Sequence, residues 1–287
     1  TALSDMKTLI SATELLEQLR GARPPLVLDC SFELVDPAAG ERAWRAGHVP
    51  GALYLHLDSD LAGPKQDATG RFRGRHPLPE RAAFAVRLGQ LGITPATAVV
   101  CYDAQGGVYA SRAWWQLRWM GHTDVAVLDG GLAAWLEAGG ALATDGATPR
   151  SAAPYPTHAP AMPVIEATAL LSRLGRTPLI DARGGERYRG EVEPLDPAAG
   201  HIPGARNRCF KDNLTPDGRF KSPAELRAEW LPLLAGHDAA EVVQQCGSGV
   251  TACHNLLALA HAGLGDSVLY PGSWSEWSAD PARPRAR

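Results

Sequence analysis

The sequence predicts an α/β protein built of two tandem domains, each a mainly parallel sheet with helices on both faces. Three observations carry this reading. The first is a repeat of four blocks in the same order: "PLVLDC" at 25–30 and "PLIDAR" at 178–183, "GHVPGA" at 47–52 and "GHIPGA" at 200–205, "AVVCYD" at 98–103 and "EVVQQC" at 241–246, "VAVLDGGLAAW" at 125–135 and "SVLYPGSWSEW" at 267–277. The Gly-His pairs lie 153 residues apart and Asp29 and Asp181 lie 152 apart, matching offsets for the first two blocks of a duplicated domain. The second is the alternation of short β-branched runs with helical patterns, which favours parallel strands covered by crossover helices. The third is a seam at 144–163, with five prolines and almost no large apolar side chain, a composition that suits an extended connection. The domains are placed at 1–145 and 164–287, with a linker at 146–163.

The strands are expected at 25–29, 97–102, 125–129, 178–181, 241–245 and 267–270. Two helix starts are written in full. In "SATELLEQLRG", Ser11 and Glu14 have the spacing of a capping box and Gly21 supplies the stop. "SPAELRAEWLPLLAG" repeats the device with Ser222 and Glu225, and Pro223 occupies the first helical position.

At 287 residues the chain is about twice the usual length of one domain. With 45% hydrophobic and 21% charged residues it is an ordinary globular composition. The net charge of −3, with no basic cluster, points away from nucleic acid. No apolar run approaches the roughly 18 residues of a membrane span. "TALSDMKTLI" lacks the regions of a secretory leader, and five cysteines form no disulfide framework. A reducing, cytoplasmic setting with free thiols is expected. No metal or organic cofactor is expected, since the histidines are scattered and no Cys-x-x-Cys or His-x-x-x-His spacing occurs.

Chemistry concentrates in "CGSGVT", 246–251, between a strand and a helix. In open parallel sheets the reactive crevice lies beyond the carboxyl ends of the strands, where Cys246 falls. Gly247 and Gly249 allow the backbone to curl, and a curled loop entering a helix points several N–H groups into its centre. That field favours an anion and should favour the Cys246 thiolate. A cysteine phosphatase needs an arginine six places after the nucleophile, where this chain has Ala252. Transfer of a sulfur atom, which turns the thiolate into a persulfide, needs only the amides. Cys253 is expected in the core or beside the site, and Cys30, Cys101 and Cys209 receive no role.

The repeated "GH[VI]PGA", the "DGG" and "GSW" closings and the "CGSGVTAC" loop resemble the two-domain rhodanese-type sulfurtransferases, over nearly the whole chain. The resemblance implies two tandem rhodanese-like domains, the second catalytic through Cys246 and the first degenerate, with Asp103 at the cysteine position. The uncharged loop is similar to that of members using 3-mercaptopyruvate, whereas thiosulfate-using members carry two cations there. A dianion entering a partly dry, neutral pocket would meet a large desolvation cost. The resemblance further implies that Arg187, in an Arg-Tyr-x-Gly pattern, binds the donor carboxylate, and that the amides of Gly247, Gly249, Val250 and Thr251 hold the persulfide. Ser248 would assist proton transfer, with His48 and Asp36 or Glu41 completing a relay; the repeat of His48 as His201 equally suits a structural role. A second substrate arginine common in the family is absent from "EVEPLDPAAG", and Arg183 and Arg189 are the candidates to replace it. Arg112 would line a cleft or cap a helix. The implied reaction moves sulfur from 3-mercaptopyruvate to a thiol, a thioredoxin-like protein or cyanide. The alternatives are a thiosulfate:cyanide sulfurtransferase and a non-catalytic persulfide carrier.

Overall fold

A computed structural model describes residues 8–287; the first seven residues of the stretch read for a leader lie outside the described part. The chain forms two compact units. One holds the residues up to Leu61, Pro79–Ala161 and Asp217–Arg219; the other holds Ala62–Leu78, Met162–Pro216 and Phe220–Arg287.

In the first unit, β1 (Leu9–Ile10), β2 (Leu26–Asp29), β3 (Leu53–Tyr54), β4 (Val99–Tyr102) and β5 (Val125–Leu128) form one sheet in the order β1-β5-β4-β2-β3. Every pairing is parallel, with Leu26 opposite Val99 and Val99 opposite Val125. In the second unit, β6 (Leu179–Asp181), β7 (Ala205–Asn207), β8 (Val243–Gln245) and β9 (Val268–Leu269) form a parallel sheet in the order β7-β6-β8-β9. Where β1 pairs with β5, the second unit keeps a single parallel bridge from Val164 to Leu269.

Alternation along the strands decides which side chains meet which helix. Val27, Val100, Ala126 and Leu128 pack against Leu15 of helix Ala12–Leu19 and Trp135 of helix Gly131–Glu137. Helix Val108–Trp119 packs against β4 and β5. The second unit repeats this with Leu179 and Val243 against Leu170, Trp274 and Trp277, and helix Thr251–His261 on β8. All six expected strands form. The short β1, β3 and β7, two or three residues each, were not anticipated.

Both capping boxes close. Ser11 Oγ accepts the Glu14 N–H at 3.2 Å while Glu14 accepts the Ser11 N–H at 2.9 Å, and Ser222 and Glu225 do the same at 3.3 and 2.9 Å. Each N-cap is worth about 1 kcal/mol. The proline-rich stretch does not hang free: Ala152 N–H donates to Gly89 O at 2.7 Å, Tyr155 N–H to Ala85 O at 2.9 Å, and the Tyr155 ring is buried. Residues 62–78, read as part of the N-terminal half, fold instead with the second unit. There, Gln66 bridges Phe72 in a small hairpin turned by Asp67, whose side chain accepts the N–H groups of Thr69 and Arg71.

Candidate active site

The second unit places Cys246 immediately after β8 and five residues before the start of helix Thr251–His261. Gly249 has φ +79°, and a Cβ there would lie 2.4 Å from Pro271 O, so both conformation and space demand glycine. The curl brings the Gly249 N–H to 3.1 Å from Cys246 Sγ. Among the described residues, no backbone hydrogen bond engages the N–H groups of Gly247, Ser248, Val250 and Thr251. The loop therefore keeps amide donors for a negative group next to a buried sulfur.

The closing segment fixes the other side of the loop. Ser273 adopts φ +55°, unusual for a side chain with a Cβ, and its Oγ accepts the Cys246 N–H at 3.1 Å and donates to Tyr270 O at 2.9 Å. Trp274 N–H donates to Cys246 O, and Ser275 N–H donates to Gly247 O, at 3.0 and 2.9 Å. The "GSW" repeat thus clamps the backbone on both sides of the nucleophile. Cys253 is buried with its Sγ 3.4 Å from Gly249 O. Burial pushes the Cys30 thiol well up and the Cys209 thiol up.

The equivalent loop of the first unit is filled from within. Asp103 follows β4 as Cys246 follows β8. Its Oδ1 accepts the N–H groups of Gln105 and Gly107, and its Oδ2 those of Tyr109 and Ala110, all at 2.8–2.9 Å. Four amides that could hold an external anion hold a carboxylate of the chain itself.

Ser248 Oγ lies 2.7 Å from His76 Nδ1, and both residues are buried. The structure brings His76 to Ser248 where the sequence reading expected His48. His48 belongs to the first unit; its ring bonds Trp44 O at 2.6 Å and Asp145 O at 3.2 Å and stacks on Trp44. His201 repeats this geometry in the second unit, with Nδ1 2.8 Å from Tyr188 O and its ring stacked on Tyr188. Both histidines also make an antiparallel bridge to a later segment, Ala143 and Ala286 respectively. The repeated histidine thus makes the same kind of contacts in both units. Asp36 is partly exposed and ion-paired with Arg42, and Glu41 with Arg45. Arg112 is buried in the first unit, donating to Leu61 O at 3.0 Å.

Arg187 sits on the one-turn helix Gly185–Tyr188, held by Tyr188 OH donating to Ala205 O at 2.5 Å. Its guanidinium lies against Gly247, where a Cβ would come within 3.3 Å of Nη1, and its buried Nε has no hydrogen-bond partner among the described residues. The second cation at this corner is Arg75, which the sequence reading did not single out. A Cβ on Gly247 would stand 2.8 Å from Arg75 Nη2. Arg75 is placed by its own N–H donating to Ser275 Oγ at 2.9 Å, beside Gly74, whose φ of +107° and close approach to Gly272 O exclude a side chain.

Arg183 and Arg189 do not fill the place of the missing arginine. Arg183 is fully engaged by Asp181, Gly200 O and Glu193 and lies over the Trp274 ring. Arg189 is exposed and paired with Glu191 at 2.6 Å. His76 and Arg75 share one signal in the sequence: 51 residues separate Gly47 from Ala98, but only 41 separate Gly200 from Glu241. Both repeats carry the hairpin, Gln66 bridging Phe72 and Leu214 bridging Phe220; half of the extra chain precedes it in the first repeat and half follows it, where Arg75 and His76 stand.

The fold is shared with known proteins. The rhodanese-like domain model matches residues 11–138 and 166–280. The chain belongs to the rhodanese-like family. It is 47% identical over 282 residues to a probable 3-mercaptopyruvate sulfurtransferase of Pseudomonas aeruginosa, covering 97% of each chain. It is 40% identical over 286 residues to a Mycobacterium tuberculosis protein provisionally named thiosulfate sulfurtransferase SseB, covering 98% of this chain and 97% of that one. Among solved structures it resembles the 3-mercaptopyruvate sulfurtransferase of Leishmania major with a TM-score of 0.83 at 30% identity, covering 95% of this chain and 74% of that one. The rhodanese-like assignment fits the two parallel sheets and the cysteine loop at the end of β8. Among the described residues, no helix is long and apolar enough to cross a membrane, and no group of three His, Cys, Asp or Glu side chains could hold a metal ion.

Proposed function

We propose that this rhodanese-like protein is a sulfurtransferase that takes sulfur from 3-mercaptopyruvate onto Cys246 and passes it to a thiol, a reduced thioredoxin-like protein or cyanide. The observation that carries the reading is the Gly249 N–H 3.1 Å from a buried Cys246 Sγ, in a loop with no charged side chain of its own. Such a site offers amide donors to the outer sulfur of a persulfide.

The thiolate attacks the donor sulfur, an S–S bond forms, and the donor C–S bond breaks with its electron pair on the departing enolate. The thiol proton of the donor is transferred to the enolate carbon, giving pyruvate and Cys246–S–S⁻. The Ser248–His76 pair stands where that proton would be handled, one residue from the nucleophile's neighbour. Arg187, with a free Nε, meets the single carboxylate, and Arg75 adds a second cation in place of the arginine missing from 191–200. The acceptor thiolate then attacks the outer sulfur and Cys246 leaves as the thiolate. Five cysteines, all free thiols, suit a cytoplasmic setting for this chemistry.

One observation favours thiosulfate as donor instead: two guanidinia flank Gly247, enough for a dianion. Measuring kcat/KM for both donors with cyanide as acceptor separates the readings. Preference for 3-mercaptopyruvate supports the first, preference for thiosulfate the second. Turnover of neither free donor would leave a carrier that is loaded by another protein.

A further inference from the structure

Behind the loop runs an unbroken chain of ion pairs: Asp181–Arg183–Glu193–Arg187–Asp196–Arg75. It holds three guanidinia and three carboxylates, so the cluster as a whole is neutral. Asp196 is the link at the loop, because both of its partners are the guanidinia that flank Gly247. Its Oδ1 accepts from Arg75 Nε at 3.0 Å and its Oδ2 from Arg187 Nη2 at 3.1 Å, with the carboxyl only 2% exposed. Glu193 differs: it also accepts the N–H groups of Leu195 and Asp196 and so shapes its own turn. Asp196 spends its side chain on the two cations alone.

We propose that Asp196 is a specificity-determining residue, which by bridging Arg75 and Arg187 lowers the positive charge of the anion corner and selects a monoanionic donor over a dianionic one. This rests on the sulfur-transfer reading. The interaction of a fixed carboxylate with a ligand scales with the ligand's charge, so Asp196 opposes a dianion twice as strongly as a monoanion at the same distance. The 2% exposure of the Asp196 carboxyl limits screening by water. Two cations near a neutral loop would otherwise be the setting for thiosulfate; the shared carboxylate cancels one of them.

The test replaces Asp196 by Asn, which keeps shape and removes charge. The ratio of kcat/KM for thiosulfate to kcat/KM for 3-mercaptopyruvate is expected to rise at least tenfold; an unchanged or lower ratio overturns the proposal. Binding provides a readout without chemistry. In Cys246→Ala protein, calorimetry with thiosulfate and with pyruvate should show Asp196→Asn tightening thiosulfate at least tenfold more than pyruvate. Equal tightening of both overturns the proposal. If both donors fail to turn over in the unaltered enzyme, the sulfur-transfer reading falls, and the binding ratio still decides the role of Asp196. Should Asp196→Asn not fold, Arg75→Gln must move the same binding ratio at least tenfold the other way; no movement overturns the proposal.

Discussion

His76 Nδ1 stands 2.7 Å from Ser248 Oγ, although 172 residues separate them in sequence. The hairpin 62–78 delivers the histidine to a serine two places after the nucleophile, and a buried His–Ser pair at this spot can carry a proton to a leaving group. Thiosulfate tests that role, because its leaving group is sulfite and no carbon must be protonated. His76→Gln is expected to lower kcat with 3-mercaptopyruvate by about 100-fold, the usual contribution of a general acid, and to leave thiosulfate turnover within about threefold of its starting value. Equal losses with both donors would reduce His76 to a structural part of the loop.

His48 predicts the opposite pattern. Its ring is held by Trp44 O and Asp145 O and stacked on Trp44. His48→Ala removes two buried hydrogen bonds and leaves a hole, so unfolding in urea should show a loss of about 2–4 kcal/mol. The ratio of turnover between the two donors should stay constant for whatever fraction remains folded. A donor-specific loss of kcat would return His48 to the chemistry.

Arg187 and Arg75 share Asp196, so their effects on the donor are coupled. Arg187→Ala should raise KM for 3-mercaptopyruvate more than tenfold, as losing a charge-assisted contact costs about 1.5–3 kcal/mol. Arg75→Gln should raise KM less, and the double variant should depart from additivity by about 0.5 kcal/mol or more. Unchanged KM in the Arg187 variant would place the carboxylate elsewhere.

Asp103 gives a prediction about stability alone. Replacing it by Ala strands the N–H groups of Gln105, Gly107, Tyr109 and Ala110, each of which now meets a carboxylate oxygen. Each stranded buried donor costs about 1–3 kcal/mol, so the first unit should lose at least about 3 kcal/mol in denaturant unfolding. A loss below about 1 kcal/mol would mean that water replaces the carboxylate without strain.

Gly249 sits under a double constraint, φ +79° and a 2.4 Å approach to Pro271 O. Gly249→Ala should cut kcat with either donor by more than tenfold, because moving the Gly249 amide removes the hydrogen bond to Cys246 Sγ. The left-handed backbone alone adds about 1–2 kcal/mol of strain for a residue with a Cβ. Retained activity would show that the other loop amides suffice.

The strands, the duplication and the nucleophile were legible because each is local: β-branched runs, a repeated motif, and a cysteine set between a strand and two glycines. The capping boxes at Ser11 and Ser222 were legible for the same reason. His76 and Arg75 were not, since their roles arise only when a hairpin of the first repeat folds with the second sheet. At His48 the family resemblance suggests a relay and the repetition a structural part; the stacked, carbonyl-bound ring seen again at His201 supports the second. The charge of Arg183 can be read from sequence and makes it a candidate for the absent arginine, whereas its engagement by Asp181, Glu193 and Gly200 O cannot.

In the proposed reaction Cys246 carries the transferred sulfur. The direct measurement is peptide mass spectrometry of the protein after one equivalent of 3-mercaptopyruvate, with pyruvate assayed in the same sample. The expected result is a gain of one sulfur atom on the peptide containing Cys246, matched by an equal amount of pyruvate, and neither in Cys246→Ser. Sulfur on Cys30, Cys101, Cys209 or Cys253, or pyruvate released by the Cys246→Ser protein, would contradict it.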